Sequence, residues 1–343
     1  MTITDEQAAR FAETFDRMVA SVGRAILGKD RAVRLALACL LSKGHLLLED
    51  VPGTGKTSLA KAIAIAIQGQ NARIQFTPDL LPSDVLGGVV YNQGTQTFDF
   101  KPGPIFHSIV LADEINRASP KTQSALLEVM EEGRATVDGK THRVPEPFMV
   151  IATQNPVEHA GTYPLPEAQL DRFLMKTAIG YPDHDALVSL LAESAIGDRA
   201  AQVEPVITSA SFAQLSAFTA GVHVRPEILS YLSQIAEATR GHKYVDLGLS
   251  PRGCLAYIRV AKTWALAQGR SFVLPDDIKS LRMPVLCHRL MLNEEAPYRD
   301  VTVEQVIDDV FDGIDPPLKR ADAALQDELT RRRTDAAFGS AVR

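Results

Sequence analysis

Leu46-Leu47-Leu48-Glu49-Asp50-Val51-Pro52-Gly53-Thr54-Gly55-Lys56-Thr57-Ser58 decides the fold. An apolar run, a glycine-bearing turn and a helix-forming stretch follow one another without a gap. The run reads as a buried strand and Ser58–Ile67 as a helix, so the turn joins strand to helix, the setting a phosphate-binding loop requires. Its glycines let backbone N–H groups turn toward phosphate oxygens. Lys56 supplies a cation for the β- and γ-phosphates, the Thr57 hydroxyl a ligand for Mg²⁺, and the helix start a favourable field. The nucleotide-binding set therefore runs Gly53, Thr54, Gly55, Lys56, Thr57 and Ser58. The pattern GxxxxGK[ST] asks for Gly at position 50, where this chain has Asp50; Pro52 stiffens the loop instead.

Downstream, apolar runs alternate with helical stretches. Arg73–Phe76, Ser108–Ala112, Phe148–Ala152 and, more weakly, Leu174–Ile179 read as strands, and Pro120–Glu132 as a helix. This rhythm predicts a parallel sheet between helices. Two stretches interrupt it, about 89–100 around Asn92-Gln93-Gly94 and about 135–145 around Asp138-Gly139, and both read as inserted hairpins. Upstream, Phe11, Phe15, Met18, Val19, Val22 and Ile26 give residues 6–27 a helical stripe. After Tyr181-Pro182-Asp183 the strands stop, and five helices follow between 186 and 281. The expected organisation is an N-terminal helix (1–27), an α/β nucleotide-binding core (28–182), a smaller all-α lid with its extension (183–315), and a charged tail (316–343) containing Arg331-Arg332-Arg333.

Two carboxylates end the strand Ile109–Ala112: Asp113 and Glu114. Carboxylates at the end of a buried strand are costly unless used or paired. With the loop upstream, Asp113 is placed to hold the Mg²⁺ shell and Glu114 to act as general base for an attacking water. Asn155, beyond the next strand, offers an amide to orient that water or meet the γ-phosphate. Arg172 stands beside the last strand; taken alone it reads as a surface ion pair. Arg252 lies in the first turn of a helix, where a cation opposes the helix dipole.

The 343 residues, 45% hydrophobic and 23% charged, are enough for about two domains with a real core. A net charge of −6 gives no bulk attraction for nucleic acid. The three cysteines, Cys39, Cys254 and Cys287, form no CxxC and fit a reducing, cytoplasmic setting. The acidic start is unlike a signal peptide, and no apolar run reaches the ~18 residues of a membrane span. The histidines form no zinc pattern, no GxSxG elbow occurs, and there is no basic–aromatic stripe of the kind that binds single strands.

Taken in order, Leu48–Thr57, Ile109–Arg117, Asn155, Arg172 and Arg252 resemble an AAA+ ATPase. Leu48-Glu49-Asp50-Val51-Pro52-Gly53, Ala112-Asp113-Glu114-Ile115-Asn116-Arg117-Ala118 and Leu165-Pro166-Glu167-Ala168-Gln169-Leu170-Asp171-Arg172-Phe173 resemble, more narrowly, the MoxR family, over roughly residues 20–315. The resemblance implies an AAA+ P-loop core with a helical lid and hydrolysis of ATP with Mg²⁺. It makes Asn155 sensor 1, Arg252 sensor 2 on the lid, and Arg172 an arginine finger acting in trans; Gly28 and Lys29 would lie near the adenine. The loop would be half of a site, completed by the lid and by a neighbouring subunit. It further implies a homo-oligomeric ring, most often a hexamer. Such rings work as chaperone-like machines on a protein client, often with a von Willebrand A domain partner. The inserted hairpins, through Tyr91, Phe98 and Phe100, are candidates to meet the client or else to pack on themselves. A nucleic-acid motor and a nucleotide-switched scaffold with negligible turnover are the competing functions; Lys140, His142 and Arg143 give the motor slight support.

Overall fold

Thr4 starts the first helix by a reciprocal cap: its side chain accepts from the Gln7 N–H at 3.3 Å, and the Gln7 side chain accepts from the Thr4 N–H at 3.0 Å. The computed structural model describes residues 3–155, 162–192 and 198–317. Helix α1 (Asp5–Gly23) buries Phe11, Phe15, Met18, Val19 and Val22 on one stripe, as their spacing predicts; it ends at Gly23, and Ile26 is buried beyond it. Helix α2 (Asp30–Leu41) is buried on almost every side.

The core then runs β1 (Leu46–Glu49), α3 (Lys56–Ala66), β2 (Asn71–Gln75), α4 (Pro82–Leu86), the hairpin β3 (Gly87–Asn92) with β4 (Thr97–Pro102), β5 (Ile109–Asp113) and α5 (Pro120–Glu132). It continues through the hairpin β6 (Arg134–Val137) with β7 (Lys140–Arg143), then β8 (Met149–Gln154), α6 (Glu167–Leu170) and β9 (Met175–Thr177). Five strands pair in parallel in the order β2-β5-β8-β1-β9. Alternate residues explain why those strands read as continuous apolar runs. Leu46, Leu48, Ile109, Leu111, Met149 and Ile151 join the cluster under α1, α2, α3 and the lid, whereas Leu47, Val110, Ala112, Val150 and Ala152 join the cluster under α5. A strand buried on both faces keeps no polar alternation.

Both hairpins form where expected. Asp138 and Gly139 turn the second one with positive φ, 47° and 75°, the backbone a two-residue hairpin turn demands. The first closes tightly at its base, where a Cβ built on Gly87 would lie 2.2 Å from the Lys101 carbonyl oxygen.

Beyond β9 the chain runs α7 (His184–Ala192), α8 (Ser209–Phe218), α9 (Pro226–Gly241), β10 (Val245–Leu247), α10 (Pro251–Ala267), α11 (Pro275–Leu286), β11 (Met291–Leu292) and α12 (Val303–Asp312). The expectation that strands stop after residue 183 needs correcting, because β10 and β11 pair antiparallel. Strands of three and two residues are too short to show a period in sequence. Of the tail, only residues 316 and 317 lie within the described residues, so Arg331-Arg332-Arg333 falls outside them, as do Pro156 and the end of the first lid helix at Ser194. Among the described residues, no helix is long and apolar enough to cross a membrane.

Candidate functional site at the carboxyl ends of the strands

The loop leaves β1 and returns as α3. Gly53 and Gly55 have φ of 86° and 94°, conformations that other residues adopt only at a cost, and Gly55 starts α3 without a side-chain cap. The first-turn N–H groups of α3, with Thr57 and Ser58 among them, have no intrahelical acceptor, which makes this helix start fit an anion. Lys56 Nζ lies over the loop, donating to the carbonyls of Asp50 (3.1 Å) and Val51 (3.2 Å). Thr54 is buried within the loop.

Asp50, which departs from the loop pattern, is buried and fully employed. Its carboxylate accepts from the N–H groups of Val51 (3.0 Å), Ile179 (2.7 Å) and Gly180 (2.8 Å). A glycine would make none of these bonds; Asp50 ties the loop to the chain that leaves β9. Gly28 (φ 69°) stands nearby. A Cβ there would meet Ala186 Cβ at 3.0 Å, and Ile26 reaches within 3.5 Å of a Cβ built on Gly55, so the 26–28 segment flanks the loop beside the start of α7. Lys29 Nζ donates to the Tyr181 carbonyl at 2.5 Å.

The two carboxylates at the end of β5 are organised by residues the sequence did not single out. Thr153, on the adjacent β8, donates to Asp113 Oδ1 (2.7 Å) and accepts from the Glu114 N–H (2.8 Å). Arg73 on β2 pairs with Asp113 Oδ2 at 2.6 Å. Glu114 is left-handed, φ 59° and ψ 51°, a strained backbone for a side-chain-bearing residue. Its carboxylate takes a hydrogen bond from Gln75 Nε2 (2.9 Å) and pairs with Arg117 Nε (3.2 Å). Arg73 and Gln75 flank the buried Ile74 on one strand; that polar alternation was the available signal for both. Since β8 lies between β5 and β1, Asn155, directly after β8, sits between the carboxylates and the loop.

The two arginines lie at the other end of the sheet. Arg172 Nη2 pairs with Glu131 Oε2 and Arg252 Nη2 with Glu131 Oε1, both at 3.2 Å. Glu131 follows Met130, whose carbonyl meets His45 Nε2 at 2.9 Å, and His45 immediately precedes β1. Leu174 N–H, entering β9 after Arg172, bonds the His45 carbonyl at 2.8 Å. The four residues of β1 put about 13 Å between this end and the loop. The structure therefore brings Gly28, the loop, Asp113, Glu114 and Asn155 together and joins Arg172 to Arg252, but it does not bring Arg252 to the loop of its own chain. The expectation that the lid helps complete the site meets this fact: the first turn of α10 faces Glu131 rather than the loop of its own chain.

Comparison with known proteins shows what the chain as a whole is similar to. The family model for the ATPase family associated with various cellular activities (AAA) matches residues 45–175, and that for the AAA lid domain matches residues 237–310. The chain is 48% identical to the uncharacterized protein YeaC of Bacillus subtilis, covering 89% of this chain and 95% of that protein. It is 40% identical to Chaperone MoxR1 of Mycobacterium tuberculosis, covering 91% and 85% respectively. It is 32% identical to Protein MoxR of Paracoccus denitrificans, covering 87% and 95%. A crystal structure of a protein from Cytophaga hutchinsonii that is named as an ATPase superimposes with a TM-score of 0.85 at 34% identity, covering 91% of this chain and 98% of that one. With relatives named MoxR at 32–40% identity over most of both chains and the AAA and AAA lid models both matching, the chain belongs to the MoxR family of AAA+ ATPases.

Proposed function

We propose that this chain hydrolyses ATP at the interfaces of a homo-oligomeric ring, a hexamer, and uses the cycle to remodel or activate a protein complex. The single observation that carries the reading is the position of Arg172, at the end of the sheet opposite the loop and alongside Arg252. Neither arginine is placed to serve the loop of its own chain, whereas a head-to-tail ring sets that end of one subunit against the loop of the next. Both arginines then act in trans, completing the transition-state charge only in the assembly.

Within one subunit, residues 28–182 form the nucleotide-binding core and 183–315 the lid. Gly53 to Ser58 cradle the phosphates of ATP, the adenine lies by Gly28, and Lys56 turns from the loop carbonyls to the β- and γ-phosphates. The donor set of a hydroxyl and a carboxylate fits Mg²⁺, with Thr57 and Asp113 as its ligands. When bound, the ion neutralises phosphate charge. Glu114 takes the proton of the attacking water and Asn155 orients that water. Cys39, Cys254 and Cys287 are free thiols, which supports a reducing cytoplasmic setting.

The client and the von Willebrand A domain partner are inferred from the family resemblance and from the chaperone name of one relative. The exposed ring pair Tyr91–Phe98, 5.2 Å apart on the first hairpin, supports a protein client. Phosphate release by Glu114→Gln tests the catalytic assignment: a fall of about a hundredfold or more is expected for loss of a general base, and undiminished turnover removes Glu114 from the mechanism. Pull-down from native cells with that ATP-trapped variant identifies the client and partner.

A further inference from the structure

The two arginines are held in register by one partly buried carboxylate. Asp171 immediately precedes Arg172, and Ser250 caps α10 two residues before Arg252, its Oγ accepting the Gly253 N–H at 2.9 Å. Asp171 Oδ2 accepts from Ser250 Oγ at 3.2 Å, and Asp171 Oδ1 accepts from Arg289 Nε at 2.7 Å. Arg289 is 6% exposed. Beyond Asp171 it donates to the carbonyls of Phe173 (2.6 Å), Leu174 (3.1 Å) and Val285. One guanidinium thus grips the residue before Arg172 and the two residues after it. Its stem also lies against the first turn of α10, where a Cβ built on Gly253 would meet Arg289 Cδ at 3.2 Å.

Burying a guanidinium in an ion pair is a poor device for stability alone, because apolar side chains of similar volume commonly do as well. Its value here is geometric: a planar donor fork fixes several acceptors at once, which a lysine cannot do. The acceptors it fixes are the backbone after Arg172, the Asp171 carboxylate before it and, through that carboxylate, the cap of the helix that carries Arg252.

We propose that Arg289 is a positioning residue for ATP hydrolysis in the neighbouring subunit: by clamping Asp171 and the 173–174 carbonyls it sets the spacing of Arg172 and Arg252, so that both cations reach one nucleotide together. This rests on the reading that Arg172 acts in trans.

The test uses the double variant Asp171→Asn with Arg289→Met, which removes both charges and leaves neither buried alone. It should fold, form rings and bind ATP within about twofold of the parent, while turnover at saturating ATP falls about a hundredfold, the scale of an ångström-sized misplacement. Mixed with Glu114→Gln subunits, which carry intact arginines, it should regain activity; mixed with Arg172→Ala subunits it should not, because both then fail on the donating side. Arg289→Lys should show a smaller defect of the same kind. Full turnover by the double variant overturns the proposal. So does rescue by Arg172→Ala subunits, or failure of Glu114→Gln subunits to rescue the double variant while they rescue Arg172→Ala. If mixed rings of Arg172→Ala with Glu114→Gln form and stay inactive, the trans reading falls and takes the proposal with it.

Discussion

Thr153 serves both carboxylates at once, donating to Asp113 and receiving the N–H of Glu114. Thr153→Val keeps the shape and removes both bonds, releasing the left-handed Glu114 from its anchor. ATP binding should persist while phosphate release falls by roughly tenfold or more, as for a displaced general base; equal turnover in the two proteins would show that the anchor is dispensable. Asp50→Gly restores the loop pattern yet strips three backbone N–H groups of their acceptor. It should lower stability by about 1–3 kcal/mol, read as a lower denaturation midpoint. From sequence, Asp50 was visible only as a departure, because its partners at 179 and 180 are brought to it by the fold. His45 carries a pH dependence. Val150 N–H donates to its Nδ1 and its Nε2–H meets the Met130 carbonyl, so the ring is neutral, and burial lowers its pKa from 6.5 to about 4. The unfolded chain then binds a proton between those values that the folded chain refuses. Stability is present above pH 6.5 and falls as pH drops toward 4, by about 3 kcal/mol in all. Burial shifts His288 the same way. Denaturant midpoints across this range should decline, and His45→Gln should flatten the decline; an unaltered slope would assign it to other groups.

The hairpins divide their apolar side chains between two uses. Opposite residues in an antiparallel pair share a face, so Val89, Tyr91, Phe98 and Phe100 lie together. Phe100, near the base, stacks on His142 of the second hairpin, with ring centroids 3.9 Å apart, and meets Phe106 edge-on at 5.6 Å. Phe98, toward the tip, is 73% exposed. Phe98→Ser should change stability by less than about 0.5 kcal/mol, while Phe100→Ser should cost about 1 kcal/mol or more through the lost stack; equal effects in thermal denaturation would mean the two hairpins are not packed as described. The sequence located these hairpins by turn chemistry and the sheet by apolar runs. It could not say that Phe100 packs across hairpins rather than within its own, since that contact joins residues far apart in the chain. Helix α12 was legible and passed over: Thr302 and Gln305 form a capping box before an amphipathic stretch.

At the scale of the whole molecule, the loop, Asp113, Glu114 and Asn155 were readable because they stand at the ends of three strands, β1, β5 and β8, of a parallel sheet, and such a sheet gathers strand ends at one edge. The place of Arg252 was not readable. It depends on how α10 and α11 dock on β9, which is set by Arg289 and Asp171 across more than a hundred residues of chain. The mild acidity of the chain favours a protein client over nucleic acid. ATP turnover should therefore be indifferent to single-stranded DNA at low and moderate salt, and stimulation at low salt would favour the motor instead. On the proposed reading, each ATP site is shared between subunits. Phosphate release by mixed rings of Arg172→Ala and Glu114→Gln subunits tests it most directly. Each variant alone should be inactive, and mixing should restore activity at the interfaces where an intact Glu114 meets an intact Arg172; rings that demonstrably mix and remain inactive would contradict it.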